Sequence, residues 1–325
     1  MKAIILERLD KNASLELSET PVPVPGPTEV LIQTKAIGIN PVDYKTLEDF
    51  TTPTGIRASW APALDGISPL ILGSDIAGVV TAVGSEITKF KVGDEVFGMI
   101  RMPGHGRVYA EYVAAPAVHL AKKPNNITFN EAAAATLAAI TAWQNLYTHY
   151  PVKKGDRVLI TAPAGGVGHY AVQMAKERGA YVIGLTSAAN ADWVRHIGAD
   201  EIIDYNNFDF EQADSLQLNL VLDSGGRYPA SLYEKHFAPG AALFHLPHPL
   251  APTDMAYFQS KGFDVRYTGV FSEEKAIDAI AVLLESGKIK SYVDKVFAFN
   301  EMKAALTEMK KGTTKGKIVV EAVSR

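Results

Sequence analysis

The sequence has no cysteine among its 325 residues. That excludes disulfides, iron–sulfur ligation, thiolate zinc sites and any cysteine nucleophile. It also lacks a strong excess of either charge. Its 32 Lys and Arg against 36 Asp and Glu give a formal −4, so no concentrated basic face for a nucleic acid is expected. The densest basic stretch, residues 303–317, is interrupted by acidic and apolar residues and reads as a solvated helix face. No apolar run approaches the ~20 residues of a membrane-spanning helix, and residues 1–8 do not have the form of a signal peptide. No internal repeat is visible. These absences predict a soluble, cytoplasmic protein. What is present is a hydrophobic content of 47%, ordinary for a globular chain long enough to form two domains.

The first third holds short apolar runs at residues 30–32, 78–84, 92–97 and 110–113, parted by glycines, which predicts a small β-barrel. The character changes near Pro124. Residues 131–146 are alanine-rich with neither Gly nor Pro, predicting one continuous helix. Beyond it, strands at 158–160, 182–185, 201–203, 220–222, 242–244 and 265–267 alternate with helical patterns, notably at 167–178 and 191–196. Such alternation indicates βαβ units and a parallel sheet. The end of the chain reads as a helix over 273–285 with Ser272 as N-cap and Gly287 beyond it. A second helix over 301–311 follows, capped by Asn300 and stopped by Gly312, and then a strand at 318–320.

One turn carries chemistry. Leu159-Ile160-Thr161-Ala162-Pro163-Ala164-Gly165-Gly166-Val167-Gly168 is an apolar strand running into a glycine-rich turn and then a helix. Glycines let the backbone approach a pyrophosphate, and the helix start supplies unpaired N–H groups and the positive end of the dipole. An ordinary βα turn would use glycine for conformational reasons alone, but the strand before and the helix after are the context a dinucleotide site requires. An Asp or Glu at the end of the second strand would bind the ribose 2′-OH of NAD. Here Thr186-Ser187-Ala188-Ala189-Asn190 contains no acid before Asp192, which favours NADPH.

The order of several stretches resembles the medium-chain dehydrogenase/reductase superfamily, in its zinc-free, zeta-crystallin-like quinone oxidoreductase and enone reductase branch. They are Gly38-Ile39-Asn40-Pro41-Val42-Asp43, Leu72-Gly73-Ser74-Asp75-Ile76-Ala77-Gly78, Val92-Gly93-Asp94-Glu95-Val96-Phe97, Tyr109-Ala110-Glu111-Tyr112, the glycine turn, Gly198-Ala199-Asp200, Ile203-Asp204-Tyr205 and Gly316-Lys317-Ile318-Val319. The resemblance implies an α/β fold: a GroES-like β-barrel catalytic domain over residues 1–124, rejoined by 266–325, with a Rossmann doubly wound parallel-sheet domain inserted at 125–265. It implies that Ala164, Gly165, Gly166, Val167 and Gly168 bind the pyrophosphate and that Ser187 and Tyr205 flank the adenosine ribose and its 2′-phosphate. Asn40 and Lys45 would lie near the nicotinamide end, Thr141 beside the ring, and Ser224 and Leu246 would be further cofactor contacts. A homodimer is implied too. The sequence departs from the family in three ways. Relatives often carry an Arg where Ala189 stands, residues 50–69 are longer than expected, and zinc-dependent relatives have a cysteine near Asn40 and a histidine near Ser74.

Without zinc there is no Lewis acid to stabilise an alkoxide. Hydride addition to a quinone or an α,β-unsaturated carbonyl needs only hydrogen-bond donors for a delocalised oxyanion. Asn40, Tyr44 and Lys45 are the donor candidates. Asn40 before Pro41 also suits a structural turn, Asp43 suits a backbone acceptor, and Lys45 also suits a surface position. Among the histidines, His245 and His248 are separated by Pro247, so no shared helical face and no metal site is expected. His105 lies in a glycine turn, and His169 is placed on a helix surface. The leading expectation is an NADPH-dependent reductase of quinones or enones. An enoyl-thioester reductase and a non-catalytic NADPH-binding redox sensor are the alternatives.

Overall fold

The computed structural model describes residues 1–7, 14–48 and 69–322. Most of the long segment at 50–69 lies outside the described residues. Contacts divide the chain into two compact units, Met1–Ile140 with Val270–Arg325, and Thr141–Gly269.

The first unit is built on β1 (Lys2–Leu6), β2 (Glu16–Glu19), β3 (Glu29–Gly38), β4 (Leu70–Ile71), β5 (Asp75–Val83), β6 (Glu95–Met99), β7 (Tyr112–Pro116) and β8 (Leu120–Lys122), with helix α1 (Pro41–Glu48) after β3. Strand β3 organises it. Its side chains alternate, Val30, Ile32, Thr34 and Ala36 being buried, as a strand with one face on a core requires. It pairs antiparallel with β5 and β7 and bulges twice against β5, and such bulges bend a sheet toward closure. Helix α2 (Phe129–Ala134) packs on β3. It approaches so closely that a Cβ on Gly38 would stand 2.5 Å from the Ala133 carbonyl oxygen.

The expected continuous helix at 131–146 is interrupted. Helix α2 opens with a capping box between Thr128 and Glu131 and ends at Ala134. Helix α3 (Leu137–Trp143) then restarts and leads into a wider π-type turn, Gln144–His149. The cause is tertiary. The Asp75 carboxylate accepts the Leu137 N–H at 3.1 Å, and Thr136 Oγ1 donates to the Ala133 carbonyl. Because α2 packs on β3, the first unit extends to Ile140, beyond the border expected at residue 124.

The second unit is a six-stranded parallel sheet: β9 (Arg157–Thr161), α4 (Gly166–Glu177), β10 (Tyr181–Thr186), α5 (Ala188–His196), β11 (Glu201–Asp204), β12 (Leu218–Asp223), β13 (Phe237–His245), α6 (Pro252–Ser260) and β14 (Asp264–Tyr267). The strand order β11-β10-β9-β12-β13-β14 is that of a doubly wound dinucleotide-binding sheet, with the reversal between β9 and β12. Helix α6 was not legible in the sequence, since PTDMAYFQS buries only Phe258.

The chain returns to the first unit through α7 (Glu274–Glu285), β15 (Val293–Ala298), α8 (Met302–Lys310) and β16 (Lys317–Glu321), and β16 is slotted between β15 and β3. Two expected caps are corrected. Ser272 Oγ donates to the Met99 carbonyl and accepts the Met102 N–H, leaving Glu273 at the start of α7 without a side-chain cap bond. Asn300 falls inside a 3-10 turn, Phe299–Glu301, where the Glu301 carboxylate accepts the Ala298 N–H.

Candidate functional site

The glycine turn of the second unit leaves β9 through Ala162, whose φ of 46° is left-handed. The Ala162 carbonyl accepts the Gly165 N–H at 2.9 Å, and α4 begins at Gly166. A Cβ on Gly168 would lie 2.2 Å from the Ala162 oxygen and 2.7 Å from Pro163 Cα, so only glycine lets the helix pack this close to the strand end. A Cβ on Gly165 would have one close neighbour, the Ala162 oxygen at 3.3 Å, tighter than an ordinary contact but far looser than the fit at Gly168. The first-turn N–H groups of α4 have no intrahelical acceptor. A cradle of this form fits a pyrophosphate. His169 corrects the surface expectation: it is fully buried, its Nδ1 is 3.0 Å from the Gly165 carbonyl, and its ring lies 3.9 Å from that of Tyr170.

The neighbouring strand ends are tied to this turn. Thr161 Oγ1 donates to Asp223 Oδ1 at 2.6 Å, Ser224 Oγ donates to the Thr161 carbonyl at 2.7 Å, and the Leu246 N–H donates to the Asp223 carbonyl at 2.9 Å. Ala164, Gly165, Gly166, Val167, Gly168, Ser224 and Leu246 thus gather at the carboxyl ends of β9, β12 and β13. Ser187 precedes α5 and makes no side-chain cap bond. The Tyr205 N–H reaches the Thr186 carbonyl at 3.2 Å, so Ser187 and Tyr205 follow adjoining strand ends. Thr141 is buried in α3, and its carbonyl accepts Asn145 Nδ2. Sequence reasoning missed Arg227, whose guanidinium stands 4.1 Å over the Tyr205 ring. Its place three residues beyond Ser224 was the available signal.

The histidine expectation also needs correction. Pro247 does not keep His245 and His248 apart: their Nε2 atoms are 3.4 Å from each other. His245 Nδ1 lies 2.9 Å from the buried Asp223 carboxylate, and Asp223 is held below the usual carboxylate range by hydrogen bonds from His245 and Thr161, against its burial. No group of three or more His, Asp or Glu that could hold a metal ion occurs among the described residues.

In the first unit, Asn40 is 2% exposed. Its backbone N–H donates to Asp43 Oδ2 at 2.8 Å, which fixes the start of α1 behind Pro41, and its Nδ2 donates to Asp75 Oδ2 at 2.7 Å. Its Oδ1 accepts Lys317 Nζ, which also donates to the Ile39 carbonyl at 2.8 Å and lies 3.7 Å from Asp75. Lys317 is therefore buried, not part of a solvated basic face. Burial pushes the Lys317 ammonium down and the Asp75 carboxyl up, and their mutual attraction opposes both. Asp43 is pushed up to about 7 by burial, with repulsion from Asp75 adding and the Asn40 N–H opposing. Tyr44 packs against the barrel core. Lys45 is half-buried, and burial lowers its pKa. His105 is likewise half-buried. Desolvation and nearby Arg107 lower its pKa to about 4, and it lines a small recess with Asp43, Thr46 and Ser74. The donor set does not fit a zinc ion at Asn40 and Ser74, because the Lys317 ammonium already occupies the Asn40 oxygen.

Comparison with known proteins agrees with this architecture. Residues 26–125 match the family described as Alcohol dehydrogenase GroES-like domain, and residues 197–320 that described as Zinc-binding dehydrogenase. The chain is 31% identical over 320 residues to the chloroplast envelope quinone oxidoreductase homolog of Arabidopsis thaliana, covering 95% of this chain and 94% of that one. It is also 31% identical over 304 residues to the 2-methylene-furan-3-one reductase of Solanum lycopersicum, covering 91% and 72%. The crystal structure of Escherichia coli quinone oxidoreductase complexed with NADPH superposes with a TM-score of 0.82 at 25% identity, over 99% of this chain and 100% of that one. Identity of 31% over 95% of the chain, together with the two family matches, shows that this protein belongs to the medium-chain dehydrogenase/reductase superfamily, in its quinone oxidoreductase branch.

Proposed function

We propose that this oxidoreductase uses NADPH to reduce quinones or α,β-unsaturated carbonyls without a metal. The observation that carries the reading is the glycine cradle between β9 and α4, at the carboxyl ends of a parallel sheet. The quinone and enone reductase names of its relatives support the substrate class. When bound, NADPH supplies the hydride. Gly165, Gly166, Val167 and Gly168 bind its pyrophosphate, Ser187 and Tyr205 its adenosine end, Thr141 its nicotinamide end, and Ser224 and Leu246 complete the site.

Helix α1 supplies the donors. Asn40 has one amide hydrogen beyond the bond to Asp75, but its burial and its three partners make it the residue that sets the start of α1. Tyr44 and Lys45 then offer a phenol and an ammonium to the developing oxyanion. Burial lowers the Lys45 pKa, which makes its ammonium a better donor, and each such donor is worth about 3 kcal/mol in the transition state. We also read the protein as a cytoplasmic homodimer.

The test is substrate-dependent oxidation of NADPH. Small quinones or enones are expected to react faster than simple alcohols are oxidised, by orders of magnitude, and exhaustive chelation is expected to leave the rate unchanged. Hydride-position deuterium should appear only at the β-carbon of an enone, while the α-carbon takes deuterium from D2O. Efficient oxidation of simple alcohols with no turnover of any conjugated carbonyl or quinone would overturn the assignment.

A further inference from the structure

The junction between β10 and α5, residues 186–190, offers hydroxyls but neither Lys nor Arg. A phosphate monoester carries about −1.5 to −2 charges and three acceptor oxygens, more than Ser187 can satisfy. The cation comes from elsewhere in the same unit. Arg227, in the loop after β12, has its guanidinium carbon over the Tyr205 ring at 4.1 Å and within 5.8 Å of the Tyr228 ring. The Tyr228 hydroxyl donates to the Tyr205 carbonyl at 3.3 Å, and the Tyr205 N–H donates to the Thr186 carbonyl. This chain of contacts carries the loop after β12 to the residue that precedes Ser187.

Arg227 is exposed, and no carboxylate lies within ion-pair distance of it among the described residues. The nearby Asp204 has both oxygens taken, by the Asn206 backbone and side chain and by Asn207 Nδ2. Stacking uses the face of a guanidinium and leaves its in-plane N–H edge available, the edge that matches phosphate in a two-pronged fashion.

We propose that Arg227, held on Tyr205, binds the 2′-phosphate of NADPH together with Ser187 and so selects NADPH over NADH. The inference rests on reading this unit as a nicotinamide dinucleotide site. The cation then comes from a different loop than Ser187, and Arg227 is a specificity determinant.

The experiment measures binding of NADPH and NADH to the wild type, Arg227→Met and Arg227→Lys, with 2′,5′-ADP and 5′-AMP as competitors. Arg227→Met should weaken NADPH and 2′,5′-ADP by at least about tenfold, the loss of one charged hydrogen-bonding partner, and leave NADH and 5′-AMP nearly unchanged. Arg227→Lys should recover only part of the loss, since an ammonium cannot make the two-pronged contact. Equal weakening of all four ligands would mean that Arg227 stacks on adenine instead and would overturn the proposal. So would an unchanged NADPH affinity, or a wild type with no preference for NADPH. A wild type that binds neither dinucleotide would sink the underlying site reading instead.

Discussion

The two units treat buried polar groups in opposite ways. In the barrel unit Asn40, Asp43, Asp75 and Lys317 turn inward and satisfy one another, joining β16, the start of α1 and the start of α3. In the parallel-sheet unit the polar groups stand at the strand ends: Thr161, Asp223, Ser224 and His245 tie neighbouring carboxyl ends together. The helix start beside them keeps its N–H groups for a ligand. The first arrangement holds a helix in place, and the second holds a surface open. A polar residue can thus mark a site by being used up as much as by being available.

The sharpest way to break this contrast is to remove the buried cation. Lys317→Met leaves the Asp75 carboxylate and the Asn40 oxygen without their partner, and breaking a buried pair in this way costs about 3–5 kcal/mol. Urea unfolding of the variant should show that loss; a shift below about 1 kcal/mol, the range of an exposed pair, would mean that the network is solvated and the contrast false. In the other unit, Gly168→Ala forces a Cβ against the Ala162 oxygen, and overpacking of this kind costs about 1–3 kcal/mol. Gly165→Ala, whose Cβ would meet only the Ala162 oxygen at 3.3 Å, should cost less stability than Gly168→Ala yet weaken dinucleotide binding, and equal binding by that variant would remove the cradle from the ligand site. The remaining effect is one of pH, and it is smallest when read per pH unit. Only the folded chain keeps the Asp43 proton between its ordinary pKa near 3.8 and its folded value of about 7. Stability should therefore fall as pH rises through that window, by at most about 1.4 kcal/mol per pH unit. Asp43→Asn, whose amide oxygen still accepts the Asn40 N–H, should flatten that slope; a slope that survives belongs to Asp75.

What the sequence disclosed follows the same division. The glycine turn and the apolar runs of the parallel strands are local patterns, and reading them in order was enough for the parallel sheet and the turn between β9 and α4. The break between α2 and α3 was invisible because Asp75 imposes it from 62 residues away. Lys317 looked solvated because its partner Asn40 is 277 residues distant. His169 was misplaced for a nearer reason: helix periodicity did not reveal that its ring folds back on the Gly165 carbonyl and packs beside Tyr170. Arg227 escaped notice because its meaning depends on Tyr205, which arrives from another strand end.

Strand β16 has a consequence for the order in which the protein can be made. The parallel-sheet unit is one continuous stretch, Thr141–Gly269, and every strand it needs has been synthesised once residue 269 is added. The barrel must wait. Until residues 317–321 emerge, the end of β3 from Ala36 to Gly38 lacks its partner strand, and Asp75 and Asn40 have no ammonium between them. An unpaired strand edge invites intermolecular pairing, and contacts this distant in sequence close slowly. The half-made chain would thus carry a complete parallel sheet together with an unclosed barrel, so its exposure to aggregation lasts until β16 is in place.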